Sequence, residues 1–122
     1  MLLRRSALAL LVVMAALIAA SCTRAEPRIT ISMEKVPRQW MVDVHGAGFT
    51  PGHNVTSHLR RFDGTEFPVL PILTDSRGEF THQIDTMILE LGIHELWVVD
   101  DVTGKSSNHA KFEVTYDYPP AS

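Results

Sequence analysis

Ile29, Ile31 and Met33 alternate with Thr30, Ser32 and Glu34, and the same period of two recurs along the chain. Trp40, Val42 and Val44 alternate with Met41, Asp43 and His45. Phe80, His82 and Ile84 alternate with Thr81 and Gln83. His94, Leu96 and Val98 alternate with Glu95, Trp97 and Val99, and Ala110, Phe112 and Val114 with Lys111, Glu113 and Thr115. Successive side chains of a strand point to opposite faces, so each run predicts a strand with one apolar face. Val55 to Phe62 reads as a mixed strand ending at Asp63-Gly64, a strong turn dipeptide. Glu66 to Leu73 is apolar but holds Pro68 and Pro71. Proline cannot donate to a ladder, so this piece predicts an edge strand or an irregular link. Only Thr86 to Leu91 has helical character, over a single turn, and its apolar side is expected to plug the end of the core. All seven glycines fall between or at the ends of these runs. Short strands at regular spacing with turn residues between them predict an all-β fold, a seven- to eight-stranded antiparallel β-sandwich over residues 29–116.

The first 22 residues follow a different pattern. Arg4 and Arg5 precede an unbroken apolar run from Ala7 to Ala20, and then come Ser21 and Cys22. A basic start, a short apolar stretch and small residues before a cut describe a secretory signal peptide. Spanning a bilayer takes about 20 apolar residues, more than this run supplies. The pair Arg4-Arg5 is followed by Ser6-Ala7-Leu8, a weak match to a twin-arginine signal, which favours the general secretory route. Ala19-Ala20-Ser21-Cys22 resembles the lipobox of bacterial lipoproteins. That resemblance implies cleavage before Cys22 and lipidation of its thiol and new amino group. It divides the chain into a lipoprotein signal peptide (1–21), an acylated tether (22–28), the sandwich (29–116) and a disordered tail (117–122). Ordinary cleavage before Cys22 or after Ala25, releasing a periplasmic or secreted protein, is the alternative. Thr23 is not the aspartate that this family associates with inner-membrane retention, which favours an outer membrane where the cell has one.

Gly46-Ala47-Gly48-Phe49-Thr50-Pro51-Gly52 resembles the G-x-G-F-x-P-G segment of bacterial immunoglobulin-like domains related to IPT/TIG modules. Thr74-Asp75-Ser76-Arg77-Gly78-Glu79-Phe80 is similar to their T-D-x-x-G-x-F turn. Leu91-Gly92-Ile93-His94-Glu95-Leu96 is similar to their L-x-x-G-x-Y-x-L strand entry, with His94 in place of the aromatic. Phe112-Glu113-Val114 is similar to their closing strand. The resemblance implies an immunoglobulin-like sandwich, and a spacer, adhesion or display role. It places His94 at a corner where an aromatic anchors backbone, and a partly buried imidazole would serve there as hydrogen-bond donor.

Composition narrows the functions. The 122 residues carry a net charge of −3; removing Arg4 and Arg5 with the leader leaves nine basic and 14 acidic residues, or −5. An acidic chain argues against nucleic acid as a partner. One cysteine permits no intramolecular disulfide and no cysteine-rich zinc site. The six histidines, His45, His53, His58, His82, His94 and His109, form no H-x-H or H-x-x-x-H pair. Scattered histidines with local hydrogen bonds outweigh a zinc or copper site, so neither a metal nor a cofactor is expected. Asp100-Asp101 with Glu113 and Asp117 would suit calcium, but without EF-hand spacing they read as a solvated loop. No G-x-S-x-G elbow and no phosphate-binding glycine loop is present. With Leu96 and Val98 facing inward, Trp97 faces outward, either open to a partner or covered by a neighbouring strand or loop. Trp97, Phe62, Arg60 and Arg61 form the candidate interaction surface for an envelope protein or a glycan. The expected function is that of a non-catalytic, membrane-anchored envelope lipoprotein, an interaction or structural module held by Cys22. The alternative is an exported ligand- or metal-binding domain using the sandwich loops and histidines.

Overall fold

The computed structural model describes residues 26–116; the expected signal peptide, Cys22 and the expected tail lie outside them. Eight strands run in the order β1 (Arg28–Ile31), β2 (Lys35–Pro37), β3 (Met41–Ala47), β4 (Asn54–Arg61), β5 (Leu70–Leu73), β6 (Phe80–Asp85), β7 (Gly92–Asp100) and β8 (Ala110–Thr115). A single 3₁₀ turn, Thr86–Ile88, links β6 to β7. The strands form two sheets, β1-β3-β6 and β2-β8-β7-β4-β5. The first segment is split between the sheets: β1 pairs with β3, and β2 crosses to pair with β8. In the larger sheet β7 lies between β4 and β8, and β5 forms the edge beyond β4. This is the strand order of an immunoglobulin-like sandwich.

Alternation determines which side chains meet. Val42 and Val44 of β3, Ile84 of β6, Val55 of β4, Leu96 and Val98 of β7, and Phe112 and Val114 of β8 are buried between the sheets. Their neighbours in sequence face out, as a period of two requires. Leu89, just after the 3₁₀ turn, closes one end of the core, while Met87 and Ile88 remain exposed. Every pairing is antiparallel except β2 with β8, which is parallel because β2 continues the direction of β1 after changing sheets. The Glu66–Leu73 stretch is both of the things expected of it. Its first half is irregular and its second half is edge strand β5, where Pro71 sits opposite Thr56.

The Gly46–Gly52 segment shows why it needs glycine. A Cβ on Gly46 would lie 2.1 Å from the Phe80 ring, so the ring packs directly on bare backbone. Phe49 turns into the core, its ring 5.4 Å from that of Phe80. A Cβ on Gly78 would lie 2.1 Å from the Phe49 carbonyl oxygen, and Gly78 adopts φ of 75°. Asp75 caps this turn: the Arg77 and Glu79 amides donate to its Oδ1 at 2.8 and 2.9 Å.

Candidate functional site

Two ends of the sandwich differ in what they hold. The end where Arg28 enters β1 consists of the loops around Gly48–Gly52, Asp75–Gly78 and Asp101–Lys105. Gly48 lies against Glu26, and Lys105 approaches the Glu26 carboxylate at 3.6 Å. Asp100 pins this end. The Thr50 amide and hydroxyl donate to its Oδ2 at 2.8 and 2.9 Å, and the Val102 and Thr103 amides donate to its Oδ1. Burial pushes the Asp100 carboxyl up, but the four hydrogen bonds outweigh burial and hold it below the usual carboxylate range. The solvated-loop expectation is therefore corrected for Asp100, which is buried with its oxygens committed to the protein. Asp101 accepts from the Thr56 hydroxyl at 2.7 Å, and Asp117 lies outside the described residues.

β4 carries the chain away from this end. Its eight residues span about 26 Å and finish at Arg61, followed by Phe62. The far end holds the Phe62–Thr65 turn, Trp40, the 3₁₀ turn and Leu91. The Thr86 hydroxyl and amide both donate to the Trp40 carbonyl, which fixes Trp40 beside that turn. Phe62 lies against Gly92. Trp40, Phe62, Met87, Ile88, Leu91 and Ile93 are all exposed, with Phe62 at 73% and Ile88 at 75%.

The four residues of the candidate surface are brought together only in part. Arg60, Arg61 and Phe62 line a concavity of about 410 Å³ with Ile93, Glu95 and Lys111, and Trp97 lies outside it. Arg60 and Arg61 point to opposite faces, as adjacent strand residues must. Arg60 pairs with Glu95 at 2.9 Å on the outer face, and its guanidinium lies 4.9 Å from the Trp97 ring. Arg61 covers the Phe67 ring at 3.7 Å and approaches Glu90 at 3.6 Å. Trp97 does face outward, but its indole stacks on His58 at 5.1 Å and His109 at 4.7 Å, both nearly parallel to it. Both aromatic faces are thus covered, so Trp97 offers no open platform for a sugar ring. Glu95 also holds His109, and Glu66 lies 3.4 Å from His58. The stack joins β4, β7 and the chain entering β8.

His94 occupies the corner at the end of β7. It is 1% exposed, and its Nδ1–H donates to the Gly92 carbonyl at 3.1 Å. Its ring stacks on Phe112 at 5.6 Å, and Nε2 is buried without a hydrogen-bond partner. Burial lowers its pKa, so the ring is neutral at pH 7. Of the other histidines, His45 lies 3.4 Å from Glu79, His53 is exposed, and His82 is half-buried at the side of the sandwich. Among the described residues, no three His, Cys, Asp or Glu side chains converge on a point that would hold a metal ion. No helix among them is long and apolar enough to cross a membrane. Sequence reasoning missed Trp40, Ile88 and Ile93 as surface residues. It counted Trp40 as an inward strand position, but β3 begins one residue later.

No family model matches the chain, and no curated protein matches it. Among solved structures, macromomycin is similar at 14% identity with a TM-score of 0.49, over 74% of this chain and 98% of that one. The CARDB domain of a Pyrococcus furiosus protein in complex with di-metal ions is similar at 10% identity with a TM-score of 0.45, over 74% and 86%. The assignment of the fold rests on the strand order.

Proposed function

We propose that the chain is an exported bacterial lipoprotein, held on the cell membrane or outer membrane by acylated Cys22. Its immunoglobulin-like sandwich is a non-catalytic interaction or structural module that offers its far end to an envelope protein. The observation that carries this reading is the direction of the molecule. Cys22 is six residues from Arg28, a reach of roughly 20 Å at most, so the anchor keeps the Gly48–Gly52 end against the bilayer. β4 then lifts Phe62, Ile88 and Trp40 to the opposite end, where large apolar side chains stand in solvent. Exposed aromatic and aliphatic groups of this size suit an apolar patch on a protein surface, and Phe62 and Ile93 share a concavity with Arg60, Arg61, Glu95 and Lys111 that offers polar contacts of both signs beside it.

Two measurements test the two halves. Mass spectrometry of the mature protein is expected to find an acylated Cys22, and Cys22→Ala is expected to move the protein from the membrane to the soluble fraction. An unmodified N-terminus, or a variant that stays on the membrane, defeats the anchor. A photoreactive residue placed at position 62 or 88 is expected to crosslink an envelope protein in intact cells, and one at position 53 is not. The reverse pattern defeats the orientation.

A further inference from the structure

On the side of the sandwich where β5 and β6 are the sheet edges, the two sheets part around a cavity of about 360 Å³. Leu59, Phe67, Ile84, Leu89 and Leu96 supply apolar walls. Four polar side chains also line it: Gln83, whose amide donates to Asp43, Asp85, whose carboxylate accepts from the Met87 amide, Ser57 from the inner face of β4, and His82 from β6. Ser57 is 7% exposed. Neither its hydroxyl nor the His82 imidazole has a hydrogen-bond, ion-pair or ring partner among the described residues. An apolar side chain would fill either place without leaving a polar group unpaired. The volume is that of about a dozen waters, and an apolar wall offers those waters few partners. Water so held is readily displaced by a molecule that bonds to the same two groups.

We propose that this cavity binds a neutral, largely apolar small molecule of one or two rings, whose hydroxyl or carbonyl group bonds to Ser57 and His82. Charge argues for neutrality. No lysine or arginine lines the cavity, and Asp85 stands at its rim. Burial lowers the His82 pKa, which leaves the imidazole uncharged at pH 7 and able to donate or accept one bond. A carboxylate ligand would be desolvated there without a cation to meet it. This site does not depend on the anchor, and it shares one residue, Ile88, with the far-end surface.

The test is a titration of the full chain in lipid nanodiscs with 2-naphthol, read from the methyl NMR signals of Leu59, Ile84, Leu89 and Leu96. Saturable shifts confined to these methyls are expected. Naphthalene, lacking the hydroxyl, should bind about tenfold more weakly, and Ser57→Ala or His82→Leu should weaken 2-naphthol by about the same factor. The Val36 and Val114 methyls, in the core beside β2, report whether each variant keeps its fold. A loss of affinity in either variant with those signals unmoved supports the site. The proposal is overturned by the absence of saturable shifts below 1 mM probe (roughly the weakest affinity worth calling a site). It is equally overturned by unchanged affinity in both variants, or by 2-naphthoate binding as tightly as 2-naphthol.

Discussion

Asp100 shows how one side chain fixes several loops. Its two oxygens receive four hydrogen bonds from Thr50, Val102 and Thr103. Asp100→Asn replaces one acceptor oxygen with an amide that can only donate, so at least one amide is left facing a donor. A loss of about 2–3 kcal/mol follows, seen as a lower urea midpoint with an unchanged m-value. The pH dependence has a defined sign. The folded carboxyl titrates below its unfolded value, so its contribution is complete above about pH 4 and is lost as pH falls through the folded pKa. Asp100→Asn should lack that part of the acid loss. His94 acts at higher pH. Burial depresses its folded pKa, so the unfolded chain takes up the proton first as pH falls. Stability is therefore expected to drop below about pH 6.5, with His82 adding in the same direction. His94→Phe removes a buried nitrogen without a partner and should flatten the urea-midpoint profile between pH 7 and pH 5. A variant profile as steep as the parent's would assign the effect elsewhere.

Elements were legible where the alternation was long. The inward faces of β3, β6, β7 and β8 follow from period two, and so do the outward positions of Trp97 and His45. β2 was not legible. Three residues with one apolar position, Val36, carry no period, and the switch of sheets depends on where β8 lies. The candidate surface was half legible for the same reason. Adjacent arginines cannot share a face in a strand, and the two histidines that cover Trp97 come from β4 and from the chain entering β8. The cavity was not legible, because it exists only where two edges diverge. The Gly46–Gly52 segment separates two roles of glycine. Gly46→Ala drives a methyl into the Phe80 ring and should cost about 1–3 kcal/mol. Gly52→Ala meets open space, and only its φ of 66° opposes it, at about 1 kcal/mol. Thermal unfolding of the two variants should therefore rank Gly46→Ala lower. Equal melting temperatures would show that the Phe80 ring can move aside.

At the scale of the molecule, stability and the proposed contact are assigned to different residues. Phe62 and Ile88 stand in solvent. A Phe62→Asp, Ile88→Asp double variant is expected to unfold within about 1 kcal/mol of the parent, each exposed change being within roughly 0.5 kcal/mol. The same variant is expected to lose its envelope crosslinks. Retained crosslinks would move the contact face elsewhere.

The split first segment bears on force. With Cys22 in a bilayer and a partner gripping the far end, tension enters at Arg28 and runs along the strands. Ladder bonds stand perpendicular to the strands, so the β1–β3 bonds are loaded in shear and must break together. The β2–β8 pair backs them from the other sheet. A chain anchored this way would hold under a steady pull, where a strand peeled from its end would unzip one bond at a time.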